Sequence, residues 1–206
     1  MTTPVAYGAA YGVLASVFSG CALATPDKAD SLGSGLDLSG VNKPTAMQGA
    51  LASLSPNMTR RLHLVNAHTG DDFQLAYFRD GKYVDESISR LNHLMRDRRA
   101  NLATNMDTTL YDQLFLLRDR MGIDRPIHVL SGYRTPETNA KLRRRMKRVA
   151  KYSLHMEGRA ADIFVPGIPV EKLQQAALSL SAGGVGVYSS SHFIHMDTGP
   201  VRHWGK

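Results

Sequence analysis

The first Asp, Glu, Lys or Arg of this chain is Asp27, and sustained hydrophobic patterning starts only at Thr59. Ordering a residue costs about 1–2 kcal/mol of backbone entropy, so a stretch without patterned apolar side chains cannot fold alone. That boundary limits which part of the 206 residues can build a core. Within residues 1–26, Val5 to Phe18 is apolar, small or Tyr, the length of a signal-peptide hydrophobic region. Phe18-Ser19-Gly20-Cys21 then has the form of a bacterial lipoprotein cleavage box, whose Cys is acylated. Two features depart from that form: Phe stands where Leu is usual, and Met1-Thr2-Thr3-Pro4 has no basic residue. One reading is an export segment with Cys21 as lipid attachment point and membrane tether, which places the protein in the periplasm or cell envelope. The other is an apolar N-terminus with an inert thiol. Residues 27–58 are rich in Gly, Ser, Ala and Asp and interrupted by Pro44 and Pro56, which predicts a flexible linker. Residues 59–206 are then the folded domain, of ordinary size.

Composition narrows the chemistry of that domain. Lys28 and Lys43, with Asp27, Asp30 and Asp37, lie before it, leaving 23 basic against 15 acidic residues. The positive excess therefore belongs to the domain and suits an anionic partner. A single cysteine excludes an internal disulfide framework and a Cys-built zinc finger, whereas eight histidines leave His/carboxylate metal chemistry open. Lys141 to Lys151 holds seven basic residues in eleven, either a solvated helix face or an electrostatic lure for an anionic surface. No nucleic-acid module is legible, and Tyr152 is the only ring nearby, so no nucleic-acid partner is expected.

The local patterns predict an α+β fold. Leu62-His63-Leu64-Val65 and Phe73-Gln74-Leu75-Ala76-Tyr77 flank His68-Thr69-Gly70-Asp71 as a β-hairpin, and Asp80-Gly81 marks a second turn. Ile88, Leu91, Leu94 and Met95 recur at helical spacing, as do Leu110, Leu114, Leu116 and Leu117. Ile127 to Leu130 is a strand, Thr135-Pro136 starts a helix, Ala161 to Val165 is a strand, and Val170 to Leu180 is a helix. Gly183 to Tyr188 and His192 to Asp197 complete a strand-turn-strand unit. Helices come first and antiparallel-looking strands later, the order of an α+β fold.

His155-Met156-Glu157-Gly158-Arg159-Ala160-Ala161-Asp162, with His195 further on, supplies two imidazoles and a carboxylate. Three such ligands with one open position make a catalytic zinc site, and Gly158 allows the loop to fold back toward Asp162. Taken alone, each His is as well explained as an ordinary hydrogen-bonded residue; His68 and His93 read as structural.

The motifs together say more. Ser131-Gly132-Tyr133-Arg134, the His155–Asp162 segment, Gly183 to Tyr188, His195-Met196-Asp197-Thr198-Gly199-Pro200 and Arg202-His203-Trp204 occur in this order. With Leu91-Asn92-His93 and Arg96 to Asn101, they resemble the zinc murein endopeptidases related to the D-Ala-D-Ala metallopeptidases, over nearly all of Leu62 to Trp204. The resemblance implies a small antiparallel sheet with helices packed on one side, one zinc ion held on it by His155, Asp162 and His195, and peptidoglycan as the substrate, cut at its peptide cross-links. In that frame the metal activates water and polarises the scissile carbonyl. Arg134 ends a strand, where its fork suits a substrate carboxylate or oxyanion or, alternatively, a structural ion pair; Tyr133 beside it is a second substrate-binding candidate. The family often places an acid three positions before the last ligand, and here that position is His192. His192 is one candidate general base. Asp197, on the same strand face as His195, is either the base or a carboxylate that orients a ligand imidazole. Two rival activities remain at this stage: a zinc D,D-carboxypeptidase trimming stem peptides, and a non-catalytic cell-wall-binding domain.

Overall fold

The computed structural model describes residues 46–146 and 149–205, and Cys21 with the expected export segment lies outside them. The chain runs α1 (Ala46–Ser53), β1 (Arg60–Asn66), β2 (Asp72–Arg79), β3 (Lys82–Tyr83), α2 (Asp85–Leu94) and α3 (Thr108–Arg120). Then follow β4 (Ile127–Ser131), α4 (Pro136–Arg145), β5 (Ala160–Phe164), α5 (Val170–Ser179), β6 (Gly184–Tyr188), β7 (Phe193–Asp197) and β8 (Arg202–Trp204). The predicted hairpin is β1–β2, and Asp80-Gly81 forms the two-residue turn to β3, with φ of 52° and 76° at its two positions. That double positive φ is the geometry a tight hairpin turn needs.

One expectation needs correcting. The sheet is not small, and it is not purely antiparallel: eight strands lie in the order β3-β2-β1-β4-β5-β7-β6-β8, with β1–β4 and β6–β8 parallel. The reason is physical. β3 and β8 have two and three residues, too few for a period-two signal, and they pair only because longer strands offer open edges. The parallel β1–β4 pair joins strands separated by β2, β3, α2 and α3, which no local pattern encodes. A second difference lies within the expected linker. Residues 46–58 carry α1, with Met47 4% exposed and Ala50, Leu51, Leu54 and Met58 against the core.

Alternation sorts the sheet into two faces. Leu62 and Leu64, Ile127 and Val129, Ala161 and Ile163, Val185 and Val187, and Ile194 and Met196 all point into one buried core. The helices α2, α3 and α5 pack on those strands and cover the core with Leu91, Leu94, Leu110, Leu114, Leu117 and Leu173. The intervening positions of β5 and β7 turn the other way and carry Asp162, His195 and Asp197. Capping agrees with the sequence: the Thr135 hydroxyl accepts the Thr138 amide at 3.2 Å, and Pro136 opens α4.

On the β1–β2–α3 side of the core lies a buried carboxylate, Asp112. It accepts from the Tyr77 hydroxyl at 2.7 Å, the Tyr83 hydroxyl at 2.8 Å and Arg60 at 2.9 Å. Replacing it leaves a nearly buried guanidinium without its counter-charge. Asp112→Ala is expected to lower stability by about 3 kcal/mol, read as a fall in the urea midpoint at an unchanged slope.

Candidate functional site

Strand register builds the site. Asp162 pairs directly with His195 across β5–β7, Ser131 pairs with Asp162, Gly186 with His195, and Trp204 with Gly186. The β4–β5 ladder shifts by one residue between Val129 and Ser131, a bulge of the kind that re-aims side chains beside active sites. His155 joins this row from a 3-10 turn, Leu154–Glu157, which Gly158 ends at φ 69°, a left-handed conformation natural to glycine. The Arg134 amide then holds the His155 carbonyl at 3.0 Å.

The three side chains converge. His155 Nε2 lies 3.2 Å from His195 Nδ1 and 3.2 Å from Asp162 Oδ1, and His195 Nδ1 lies 3.0 Å from the same oxygen. Their other nitrogens are committed. His155 Nδ1 donates to the Gly132 carbonyl at 2.7 Å, and His195 Nε2 donates to Asp197 Oδ2 at 2.9 Å. Each imidazole therefore keeps its lone pair on the nitrogen that faces the carboxylate. Three acceptors that face one another repel, unless positive charge lies between them. Two imidazoles and a carboxylate are also a donor set for zinc, whose tetrahedral ligands sit about 3.3 Å apart at ordinary bond lengths. The residues fit a divalent ion. His155, Asp162 and His195 are the one group of buried ligand-type side chains within such reach among the described residues.

Electrostatics agree. Burial pushes the Asp162 carboxyl up, but His155 and His195 outweigh it and hold the acid well below its usual range. Burial also lowers His155, and Asp162 does not overcome it, so this imidazole stays neutral and available as a ligand. For His195, burial is outweighed by Asp162 and Asp197, and its pKa rises. Two carboxylates thus favour positive charge at the very point where the lone pairs converge.

Asp197 is saturated. Oδ1 accepts from the amides of Gly184 at 3.0 Å and Gly199 at 2.9 Å and from Arg202 at 3.0 Å; Oδ2 accepts from His195 and from Arg202 at 2.7 Å. Burial raises this carboxyl, but those partners outweigh it and hold it far below its usual range. Of its two expected roles, the geometry suits the orienting one. His192 is exposed at a left-handed turn, φ 53°, and is not itself among the cavity-lining residues, although its neighbours Ser191 and Phe193 are. Arg134 lines the cavity and donates to Asp162 Oδ2 at 3.0 Å and to Ser131 Oγ at 3.0 Å, so it forms the ion pair that was the alternative to substrate binding. Its remaining amino group reaches only Asn139, at 3.5 Å. Tyr133 packs against the core and is not among the cavity-lining residues, which runs against its reading as a substrate contact.

The cavity has a volume of about 750 Å³, within the range of small-ligand sites. Trp204 forms part of its wall, with its ring 5.2 Å from that of His195 and its indole nitrogen donating to the Tyr188 hydroxyl at 3.3 Å. Arg202, paired with Asp197, lies beside it. From the sequence, Trp204 with His203 reads as closing the C-terminus over the sheet or lining the substrate groove, and the cavity wall is where it lies; the role of Arg202 was not legible, because it depends on β8 pairing with β6.

Comparison with known proteins decides the family. A family model described as peptidoglycan L,D-endopeptidase MepK matches residues 55–204. The chain belongs to that family. It is 44% identical over 155 residues to the peptidoglycan L,D-endopeptidase MepK of Escherichia coli K12, covering 75% of this chain and 85% of that protein. It is 38% identical over 155 residues to the probable peptidoglycan L,D-endopeptidase MepK of Haemophilus influenzae, covering 75% and 83% respectively. The matched range contains every residue of the converging triad.

Gly186 is what allows Trp204 to lie across the sheet. A Cβ there would overlap the indole ring. Since Trp204 is the single tryptophan, Gly186→Ala is expected to shift its fluorescence emission while leaving the far-ultraviolet circular dichroism unchanged. An unaltered emission spectrum would mean that the ring does not press on Gly186.

Proposed function

We propose that this chain is a zinc-dependent peptidoglycan endopeptidase that hydrolyses peptide cross-links of the L,D type. The observation that carries the metal half of the reading is the triangle of lone pairs, 3.0–3.2 Å on a side, whose back nitrogens are locked to Gly132 and Asp197. Support for the substrate comes from the relatives, both named as peptidoglycan L,D-endopeptidases. In such a link an L-configured carbonyl is joined to a D-configured amine, as between two diaminopimelates.

The chain's own residues divide the work. His155, Asp162 and His195 would hold the ion, which supplies Lewis acidity to a carbonyl oxygen and acidifies water when bound. Gly132 and Asp197 fix the two imidazoles by hydrogen bonds. Arg134 anchors Asp162 through one amino group and keeps the other, nearly free, for an oxygen of the substrate. His192, exposed beside the cavity wall, is the proton acceptor we favour over Asp197, because every lone pair of Asp197 is already engaged. Trp204 and Tyr188 wall the cavity and limit water on that side. A location in the periplasm or cell envelope, with export through residues 1–26 and a tether at Cys21, completes the proposal.

The deciding experiment incubates zinc-loaded protein with cross-linked sacculi and follows the muropeptides by mass. Loss of diaminopimelate–diaminopimelate dimers is the expected result. Loss of terminal D-Ala alone would mark a carboxypeptidase, and binding without hydrolysis a wall-binding domain. In the same assay His155→Ala and Asp162→Ala are expected to abolish both zinc retention and cleavage.

The two orienting and proton-accepting roles separate by metal content. Asp197→Ala is expected to weaken zinc affinity by about 10–100-fold, measured by competition with a chromogenic chelator. His192→Ala is expected to keep stoichiometric zinc and lose turnover by about 100-fold or more. Full turnover in His192→Ala, with loss in a zinc-saturated Asp197→Ala, would exchange the assignments.

A further inference from the structure

A second chemical character lies in the same cavity, away from the donor triad. Arg98 and Arg99, from the loop between α2 and α3, line it together with His68 of the β1–β2 turn. That loop is tied down on both sides. Asp97, 3% exposed, accepts the amides of Arg99 at 2.9 Å and Ala100 at 3.3 Å, and the amide and hydroxyl of Thr135, each at 2.9 Å. Asp97 also pairs with Leu102 through the backbone, and Arg96 is locked to Asp71 at 2.6 Å and Asn101 at 3.0 Å. The Asp97 carboxylate is thus occupied by backbone amides and Thr135.

No acidic side chain bonds Arg98 or Arg99 among the described residues. Arg99 has other cations for neighbours instead. Burial, then Arg98 and Arg99, press the His68 pKa down. Burial, then Arg98, act on Arg99 in the same direction; Asp97 opposes them, and Arg134 and Arg145 add to the repulsion. Both side chains are exposed, and a loop tied down by Asp97 and Arg96 places them at the wall of the cavity. Such a wall attracts an anion, and the planar fork of arginine matches a carboxylate in two parallel hydrogen bonds.

We propose that Arg98 and Arg99 form a carboxylate-binding subsite that seats a free carboxylate of the substrate peptide and so places the scissile amide over the triad. The proposal rests on the peptide-hydrolase reading above. In a diaminopimelate–diaminopimelate link the L-centre carbonyl is consumed in the cleaved amide, and the D-centre carboxylate beside its nitrogen stays free; that is the group the arginines would take. They touch substrate away from the reacting atoms, so their contribution falls mainly on binding and not on turnover.

The test uses the zinc-loaded full chain and two synthetic diaminopimelate–diaminopimelate dimers of a tripeptide donor and a tetrapeptide acceptor, one with the D-centre carboxylates free and one with them amidated. For Arg98→Ala/Arg99→Ala, KM for the free-acid dimer is expected to rise at least tenfold, with kcat within about twofold, because hydrogen bonds to charged groups carry that scale of energy. KM for the amidated dimer, already high in the wild type, is expected to stay within about twofold, and Arg99→Lys to recover part of the loss. Zinc content and melting temperature serve as controls for folding. An equal loss on both dimers, or no change on either, overturns the subsite. Calorimetric titration with the same two dimers gives the answer even if neither is cleaved. Selective loss of free-acid affinity in the double variant supports the subsite, and equal affinities overturn it, whatever becomes of the hydrolase reading.

Discussion

The site depends on one row of backbone pairing. Ser131, Asp162, His195, Gly186 and Trp204 stand opposite one another across β4, β5, β7, β6 and β8. Because side chains alternate along a strand, a slip of one residue in any of these pairings would turn a member of the row toward the helices. The core prevents such a slip. Ile163, Ile194 and Val185 are buried on the other face, and moving one ligand outward or inward would carry a buried aliphatic residue into solvent. Packing on one face thereby fixes the position of chemistry on the other. The bulge between Val129 and Ser131 is the local exception, and it brings Ser131 level with Asp162, where its hydroxyl receives Arg134.

Converging acceptors are an electrostatic cost to the fold unless something positive lies among them. The surrounding groups share the task of holding them in place. Gly132 and Asp197 fix the imidazole orientations, Arg134 takes the outer oxygen of Asp162, and Arg202 with two amides neutralises Asp197. An array of this kind gains most from a divalent cation, which links metal binding to the stability of the β5–β7 region.

Much of this was legible in the sequence, and what was missed has a pattern. The hairpin, the two amphipathic helices, the Thr135-Pro136 start and the strands bearing Asp162 and His195 all follow from period and capping, which are local. The grouping of His155, Asp162 and His195 came from the family resemblance of the motifs that carry them, because the residues taken alone left each His an ordinary hydrogen-bonded one. Non-local features were not. β8 forms only when β6 is present to pair with it, so Trp204 and Arg202 acquired their places from tertiary structure. The apolar positions Met47, Ala50, Leu51, Leu54 and Met58 do follow helical spacing, but the Gly and Ser among them hid α1 within an apparent linker. Tyr133 shows the converse: it belongs to a recognisable motif, yet the chain turns its ring onto the core while Arg134 faces the cavity.

The positive excess of the domain also divides by structure into charges of different kinds. Arg60, Arg96 and Arg202 are neutralised by Asp112, Asp71 and Asp197 and serve the fold. Arg143, Arg144 and Arg145 occupy the last turn of α4, where cations offset the partial negative charge of a helix C-terminus, so this part of the basic run has a structural explanation. Arg98 and Arg99 have neither an acid nor a helix end to answer them. Long-range attraction to an anionic polymer needs only the sum of these charges and weakens over a Debye length of about 8 Å in physiological salt. Selection of one bond within that polymer needs charges that are held in place, unpaired and at the cavity wall, as Arg98 and Arg99 are. Net charge explains how such a protein would find an anionic envelope, whereas the placement of the unpaired arginines bears on which peptide it would hold.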